Sequence, residues 1–310
     1  MDATPPPDAD TKAPHRRRRG LSLRVLMVVI LGLGLWLGWR VNLARQQREA
    51  VATIKALGGE VAYDWEFDAQ GRRNGRSPDA PGWLRRAIDD EFFQQVVRVG
   101  LVKVGPDGMP AKVDGAPVDL ASALGKLPRL KELSLMGTQA TDRVMAAIGD
   151  LGELESLSIE TFFNWDPVVT DAGVAKLVGL SKLKKLHILN AKLGDESLRH
   201  VSVLPRLEVV SLQGSRFTDR GLAHLSGMTQ VKDLLVDMGA EKWGDAGLAH
   251  LRGLKGLETL GLQYTDVSDS GLMELVGLPD LTTVFVAGSR VTEEGKKRFR
   301  ERMPKVTTLR

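Results

Sequence analysis

From Val96 onward the chain repeats one hydrophobic pattern: an apolar residue, two variable positions, an apolar residue, one variable position, an apolar residue. It reads Val96-x-x-Val99-x-Leu101, Leu130-x-x-Leu133-x-Leu135, Leu154-x-x-Leu157-x-Ile159 and Leu183-x-x-Leu186-x-Ile188. It continues through Leu207-x-x-Val210-x-Leu212, Val231-x-x-Leu234-x-Val236, Leu257-x-x-Leu260-x-Leu262 and Leu281-x-x-Val284-x-Val286, and ends on Val306-x-x-Leu309. Successive copies start 34, 24, 29, 24, 24, 26, 24 and 25 residues apart. The alternation predicts a short strand in each copy, with its apolar side chains on one face. The second half of each unit is as regular. Thr141-Asp142, Thr170-Asp171, Gly194-Asp195, Thr218-Asp219, Gly244-Asp245, Ser268-Asp269 and Thr292-Glu293 stand at matched positions, most followed by x-Gly, and three of them by x-Gly-Leu. Thr or Ser ahead of an acid predicts an N-cap and a charge-stabilised helix start. The leucines that follow predict one buried helix face.

These motifs resemble leucine-rich repeats, and the T-D-x-G-L helix start is similar to the ribonuclease-inhibitor-like and F-box-associated subclass. The resemblance implies an α/β solenoid, a right-handed horseshoe with parallel strands on the concave side and helices on the convex side. A single unit of this kind cannot bury its own apolar face, so neighbours must stack. The family's usual Asn after the strand is replaced by Thr138, Phe162, Ala191, Ser215, Gly239, Thr265 and Ser289. Small or hydroxyl residues must then satisfy the turn. No F-box is evident upstream, so the ubiquitin-ligase role does not transfer. The whole layout also resembles bacterial membrane-anchored repeat proteins.

Upstream of the repeats the pattern changes. Residues 1–20 form a Pro- and Asp-rich tail ending in Arg16 to Arg19. Residues 21–40 carry an apolar run broken only by Arg24 before Arg40, with Trp36 and Trp39 near its end. At about 1.5 Å per residue such a helix spans a bilayer core of about 30 Å. It reads as a transmembrane helix; a cleaved signal peptide, giving an exported soluble protein, is the alternative. Basic residues are denser before it than after it, which predicts a cytoplasmic N-terminus and an extracytoplasmic repeat domain. With so short a leading tail, a scaffold or capture role is expected rather than a receptor with a folded cytoplasmic signalling domain. Residues 41–58 read as a helical stalk, and 59–95 as an N-terminal capping region with a strand near Glu60 to Phe67 and an amphipathic helix over 83–95. The repeat domain is 96–310, and its last helix, Glu293 to Met303, reads as a C-terminal cap with outward cations.

Composition narrows the function. The 310 residues are 43% hydrophobic and 26% charged, which excludes wholesale disorder. There is no Cys, which excludes thiol catalysis, disulfides and Cys-ligated metals. The net charge of +4 comes from residues 1–48, where nine basic residues face three acids. The remainder is slightly acidic, so nothing predicts nucleic-acid binding.

Candidate chemistry is sparse. His200, His224 and His250 recur five residues after the repeat Asp and form one column. Packed helices lie about 8–10 Å apart, too far for one metal to gather them. The repeat aspartates read as caps by the same reasoning. No nucleophile–base arrangement, phosphate loop or dinucleotide fingerprint is present. No enzyme activity, metal, cofactor or small-molecule substrate is therefore expected, and a protein partner is. The contact candidates are surface residues. Met136, Leu189, Leu235 and Phe285 are apolar positions between the inward residues of the strands. Phe163, Trp165 and Trp243 lie in two lengthened units, where they serve either as rim contacts or as packing for the longer loops.

Overall fold

The computed structural model describes residues 23–68, 72–73, 83, 90–102, 117–136, 140–160, 169–239 and 242–309. The chain forms two compact units, Met1–Asn42 and Leu43–Arg310.

A 34-residue helix, α1 (Leu23–Ala56), opens the described chain. Among the described residues it is the one helix long and apolar enough to cross a membrane. Its large side chains from Leu23 to Val41 are exposed, Leu35 to 77%.

The second unit carries one ten-stranded sheet in sequential order. The strands are β1 (Glu60–Tyr63), β2 (Val96–Val102), β3 (Glu132–Met136), β4 (Ser156–Glu160) and β5 (Lys185–Leu189), followed by β6 (Val209–Ser211), β7 (Asp233–Leu235), β8 (Thr259–Gly261), β9 (Thr283–Phe285) and β10 (Thr308–Leu309). β1 pairs antiparallel with β2, and each later strand is parallel to its predecessor. Every repeat strand falls on the predicted motif. Equivalent leucines stand in register, as in Leu133↔Leu157↔Leu186↔Val210↔Leu234↔Leu260↔Val284. That register stacks the inward side chains into one continuous buried core. The unit is a leucine-rich repeat solenoid.

A helix returns the chain after each strand from β2 to β9: α2 (Pro117–Gly125), α3 (Asp142–Gly149), α4 (Asp171–Val174), α5 (Asp195–Val201), α6 (Asp219–Leu222), α7 (Asp245–Ala249), α8 (Asp269–Met273) and α9 (Glu293–Arg302). From α3 on, each begins on the predicted acid.

The aspartates do more than cap their own helices. Each reaches across to the next repeat. Asp195 accepts from the Thr218 amide at 2.9 Å and from its hydroxyl at 2.6 Å. Asp142 makes the same pair with Thr170, Asp245 with Ser268, and Asp269 with Thr292. Where the cap residue is glycine, the second donor changes. Asp171 takes the Gly194 amide and the Ser197 hydroxyl, and Asp219 takes the Gly244 and Gly247 amides. The recurrent third-position glycine follows from this. A Cβ at Gly247 would lie 2.7 Å from an Asp219 oxygen, and Cβ atoms at Gly221, Gly271 and Gly295 would meet the preceding repeat's carboxylate as closely or closer.

Two N-terminal expectations are corrected. Residues 41–58 are not a free stalk: from Leu43 on they belong to the repeat unit. Ala50, Val51 and Ile54 are buried in its core. Gln47 donates to the Gln94 carbonyl at 3.1 Å and accepts from the Val96 amide at 3.0 Å, which satisfies the end of the first repeat strand. Of the helix expected over 83–95, residues 84–89 lie outside the described residues, and Asp90–Phe92 is a 3-10 turn. At the other end α9 turns Phe299 inward, and Lys296 pairs with Glu293 at 2.7 Å.

Candidate functional site

The face of the sheet turned away from the helices is lined by the residues between the inward leucines. Parallel register assembles them into rows. One row runs Gly100, Ser134, Ser158, His187, Ser211, Leu235, Gly261, Phe285. The next runs Val102, Met136, Glu160, Leu189. Met136, Leu189, Leu235 and Phe285, the apolar contact candidates, all lie on this face and are all half-buried. Register places Met136 and Leu189 on either side of Glu160, and Leu235 and Phe285 on either side of Gly261. The latter pair brackets a position with no side chain of its own.

His187 stands at the centre of the row, half-buried. Burial pushes its pKa below the usual imidazole range, against the pull of Glu160 and Asp233. Asp237 lies at the far end of its repeat's strand segment and is 1% exposed. Its Oδ1 accepts from Gln213 Nε2 at 2.7 Å and its Oδ2 from the Gln263 amide at 3.0 Å, joining three successive repeats. A Cβ on Gly261 would collide with this carboxylate, so the glycine makes room for it. Burial raises the Asp237 pKa above its ordinary 3.8, and the two donors only partly offset that. The folded state therefore holds the proton more tightly than the unfolded chain. The stability this group contributes is complete below 3.8 and is lost as the pH rises through the folded-state pKa. Asp237→Asn keeps an acceptor for the Gln263 amide, and the Gln213 amide can turn to accept in its place. The variant is expected to melt higher than the parent at neutral pH, with the gap closing in acid, as measured by thermal denaturation across pH.

The rim where the strands begin is neutralised internally. Lys131, Glu155, Lys184, Glu208, Lys232 and Glu258 occupy equivalent positions and alternate in sign. Glu155 pairs with Lys184 at 2.7 Å and Glu208 with Lys232 at 2.8 Å, and these lysines hold both carboxyl pKa values below the usual range. Such exposed pairs add little stability each, but they leave few free charges on that side.

The rim where the strands end differs. After each strand of β5 to β9 one residue adopts a left-handed conformation: Asn190, Gly214, Met238, Tyr264 and Gly288, with φ between 58° and 78°. The turn lets the amides of Asn190, Gly214, Met238 and Tyr264 donate to the next repeat's carbonyls at 2.9–3.1 Å. Thr265 and Ser289 hydroxyls donate back to the Leu262 and Val286 carbonyls at 2.7 and 2.6 Å. Together these replace the absent Asn ladder. Glycine and asparagine suit the left-handed region; methionine and tyrosine do not, and each costs about 1–2 kcal/mol there. Sequence reasoning missed Met238 and Tyr264 as surface residues. The signal was available, because both stand in a column otherwise filled by Asn and Gly.

Trp243 is a correction. Expected among the contact residues, it is 2% exposed, and its indole N–H donates to the Val236 carbonyl at 3.0 Å. It occupies the inward position held by Leu193, Phe217 and Val267 in neighbouring repeats, so it packs the lengthened loop. Phe163 and Trp165 lie outside the described residues. The histidine column sits on the helical side, with His224 and His250 exposed. No cluster of metal-ligating side chains occurs among the described residues.

No family model matches the sequence, and no curated relative does. Among solved structures the chain is similar to an internalin (inlF) of Listeria monocytogenes, with 20% identity and a TM-score of 0.46 over 60% of this chain and 56% of that one. It is similar to internalin C2 of the same organism at 20% identity and a TM-score of 0.46, over 62% of this chain and 81% of that one. The chain thus spans just over half the length of the first of these.

Proposed function

We propose that this chain is a single-pass membrane-tethered leucine-rich repeat protein that binds a protein partner without catalysing a reaction. The observation that carries the reading is the open sheet face, where Leu235, Phe285, Met136 and Leu189 stand half-exposed among small polar side chains. Apolar side chains in regular rows on a rigid parallel sheet offer desolvation without reorganisation, which is what a docking surface needs. The acid-led helix starts and the carboxylates that join successive repeats favour reading the repeats as ribonuclease-inhibitor-like. The anchor is α1: a helix face carrying Leu23 to Val41 exposed on all sides is unfavourable in water and favourable in lipid. Arg24 at its start can snorkel to the head groups, and Trp36 and Trp39 suit the far interface. The N-terminus is cytoplasmic in this reading and the repeats are extracytoplasmic.

Alkaline extraction of membranes, with N-terminal sequencing of the mature protein, tests the anchor. The protein is expected to stay in the membrane with α1 intact. Release together with a new N-terminus beyond Val41 would instead make it an exported soluble protein. Crosslinking in native membranes followed by mass spectrometry tests the binding role. The expected result is a recurrent protein partner joined through 96–309, and its consistent absence would contradict the reading.

A further inference from the structure

The two rims of the sheet are chemically unlike. On the strand-start rim each lysine has a glutamate beside it. On the strand-end rim, Lys192, Arg216 and Lys242 occupy equivalent positions in three successive repeats, each just ahead of an inward residue (Leu193, Phe217 and Trp243). All three are exposed, and among the described residues none of them forms an ion pair. At strand spacing they form a row with a cation about every 4.8 Å. The column continues with Asp266 and Arg290, so the surplus charge is concentrated at its first three positions.

The same rim carries Met238 and Tyr264. Their neighbours in the left-handed column are residues suited to that backbone. These two are not, and their side chains are 38% and 52% exposed. Each side chain is only partly buried, so a large apolar area stays open at a strained backbone position. Tyr264 is held in place: a Cβ on Gly288 would lie 2.6 Å from its ring, so the ring rests against the glycine of the next repeat. Met238 is touched by the Gln213 amide, 3.5 Å from its sulfur. The Tyr264 ring is thus packed in place before any partner arrives, and the Met238 side chain stays adaptable beside it.

We propose that this strand-end rim is the docking site for an acidic protein segment bearing an aromatic or large apolar side chain. Its carboxylates meet Lys192, Arg216 and Lys242, and its apolar group meets Met238 and Tyr264. The inference rests on the binding role proposed above and adds to the open sheet face a second contact area with its own chemistry.

Peptide binding to the full chain in detergent micelles tests it, read by fluorescence anisotropy. The probe is a labelled peptide of glutamates interrupted by tyrosines. The comparisons are a lysine–tyrosine peptide, a glutamate–serine peptide and phosphatidylglycerol vesicles. Saturable binding of the first probe is expected, weakened by salt. The double variant Met238→Gly, Tyr264→Gly should bind at least about tenfold more weakly while melting close to the parent, because glycine's ease in the left-handed turn offsets the packing lost from two half-exposed side chains. That combination separates a contact role from a structural one. Lys192→Glu, Arg216→Glu and Lys242→Glu together should abolish binding and restore it toward the lysine–tyrosine peptide.

Equal binding of the acidic and basic peptides would overturn the proposal. So would unchanged affinity in the glycine variant, or response of the vesicles alone. If the peptide fails while native-membrane crosslinks still form through Leu235 and Phe285, only this inference falls. If both fail, the binding role falls with it.

Discussion

Trp243→Ala is expected to lower the unfolding free energy by about 4 kcal/mol. The side chain is nearly fully buried, so truncation opens a cavity the size of an indole between two repeats. It also strips the Val236 carbonyl of its donor, which adds the cost of an unsatisfied buried acceptor. Trp243→Phe fills most of the volume and loses only the hydrogen bond, so it should cost much less. Chemical denaturation of the three proteins checks this. A surface contact residue would behave in the opposite way: Ala would leave stability unchanged and impair binding of the fully folded protein.

Asp195→Ala is the second large perturbation, expected to cost about 3 kcal/mol. It leaves the Thr218 amide and hydroxyl without their charged acceptor, and hydrogen bonds to charged groups contribute about 1.5–3 kcal/mol each, less than additively for two on one carboxylate. The partner glycine makes the argument specific. Gly221→Ala drives a Cβ into the Asp195 carboxylate and should cost about 2 kcal/mol as overpacking. In the Asp195→Ala background the obstruction is gone, and the same substitution should be neutral or stabilise by up to about 1 kcal/mol through helix propensity. A double-mutant cycle should therefore show coupling of about 2 kcal/mol or more. Additive costs would mean that the glycine is required by something other than the carboxylate.

These two cases also show which parts of the fold are visible in a linear sequence. The strands are, because every copy of the leucine pattern carries its own period of two and its spacing fixes the next. The helix starts are, because a cap is a local device. The Asp–Gly relation is not, since the two residues lie in different repeats and meet only once the stack exists. Trp243 stood open between rim contact and loop packing because its loop is two residues longer than its neighbours, and length outliers suggest surface. Its place directly before Gly244-Asp245 matches Leu193 before Gly194-Asp195 and Phe217 before Thr218-Asp219. Counted back from the cap, it is an inward position. Counted forward from the strand, it looked like an insertion.

The N-terminal cap was hidden for a different reason. The helix runs through residues 43–56 without a break, and Arg45, Arg48, Glu49 and Lys55 give that stretch the polar look of a solvated stalk. Only the burial of Ala50, Val51 and Ile54 reveals the core packing. The left-handed turns were legible as a column of Asn and Gly. Reading Met238 and Tyr264 as exceptions required knowing that the column marks a backbone conformation.

The account stands on the open sheet face being the side of the solenoid that meets a partner. Site-specific photo-crosslinking in native membranes tests this most directly, with the photoreactive residue placed singly at Leu235, Phe285, His224 or His250. The account predicts that Leu235 and Phe285 capture the same protein, while His224 and His250, exposed on the helical side, capture none. Capture from the two histidine positions, with nothing from the sheet face, would contradict it.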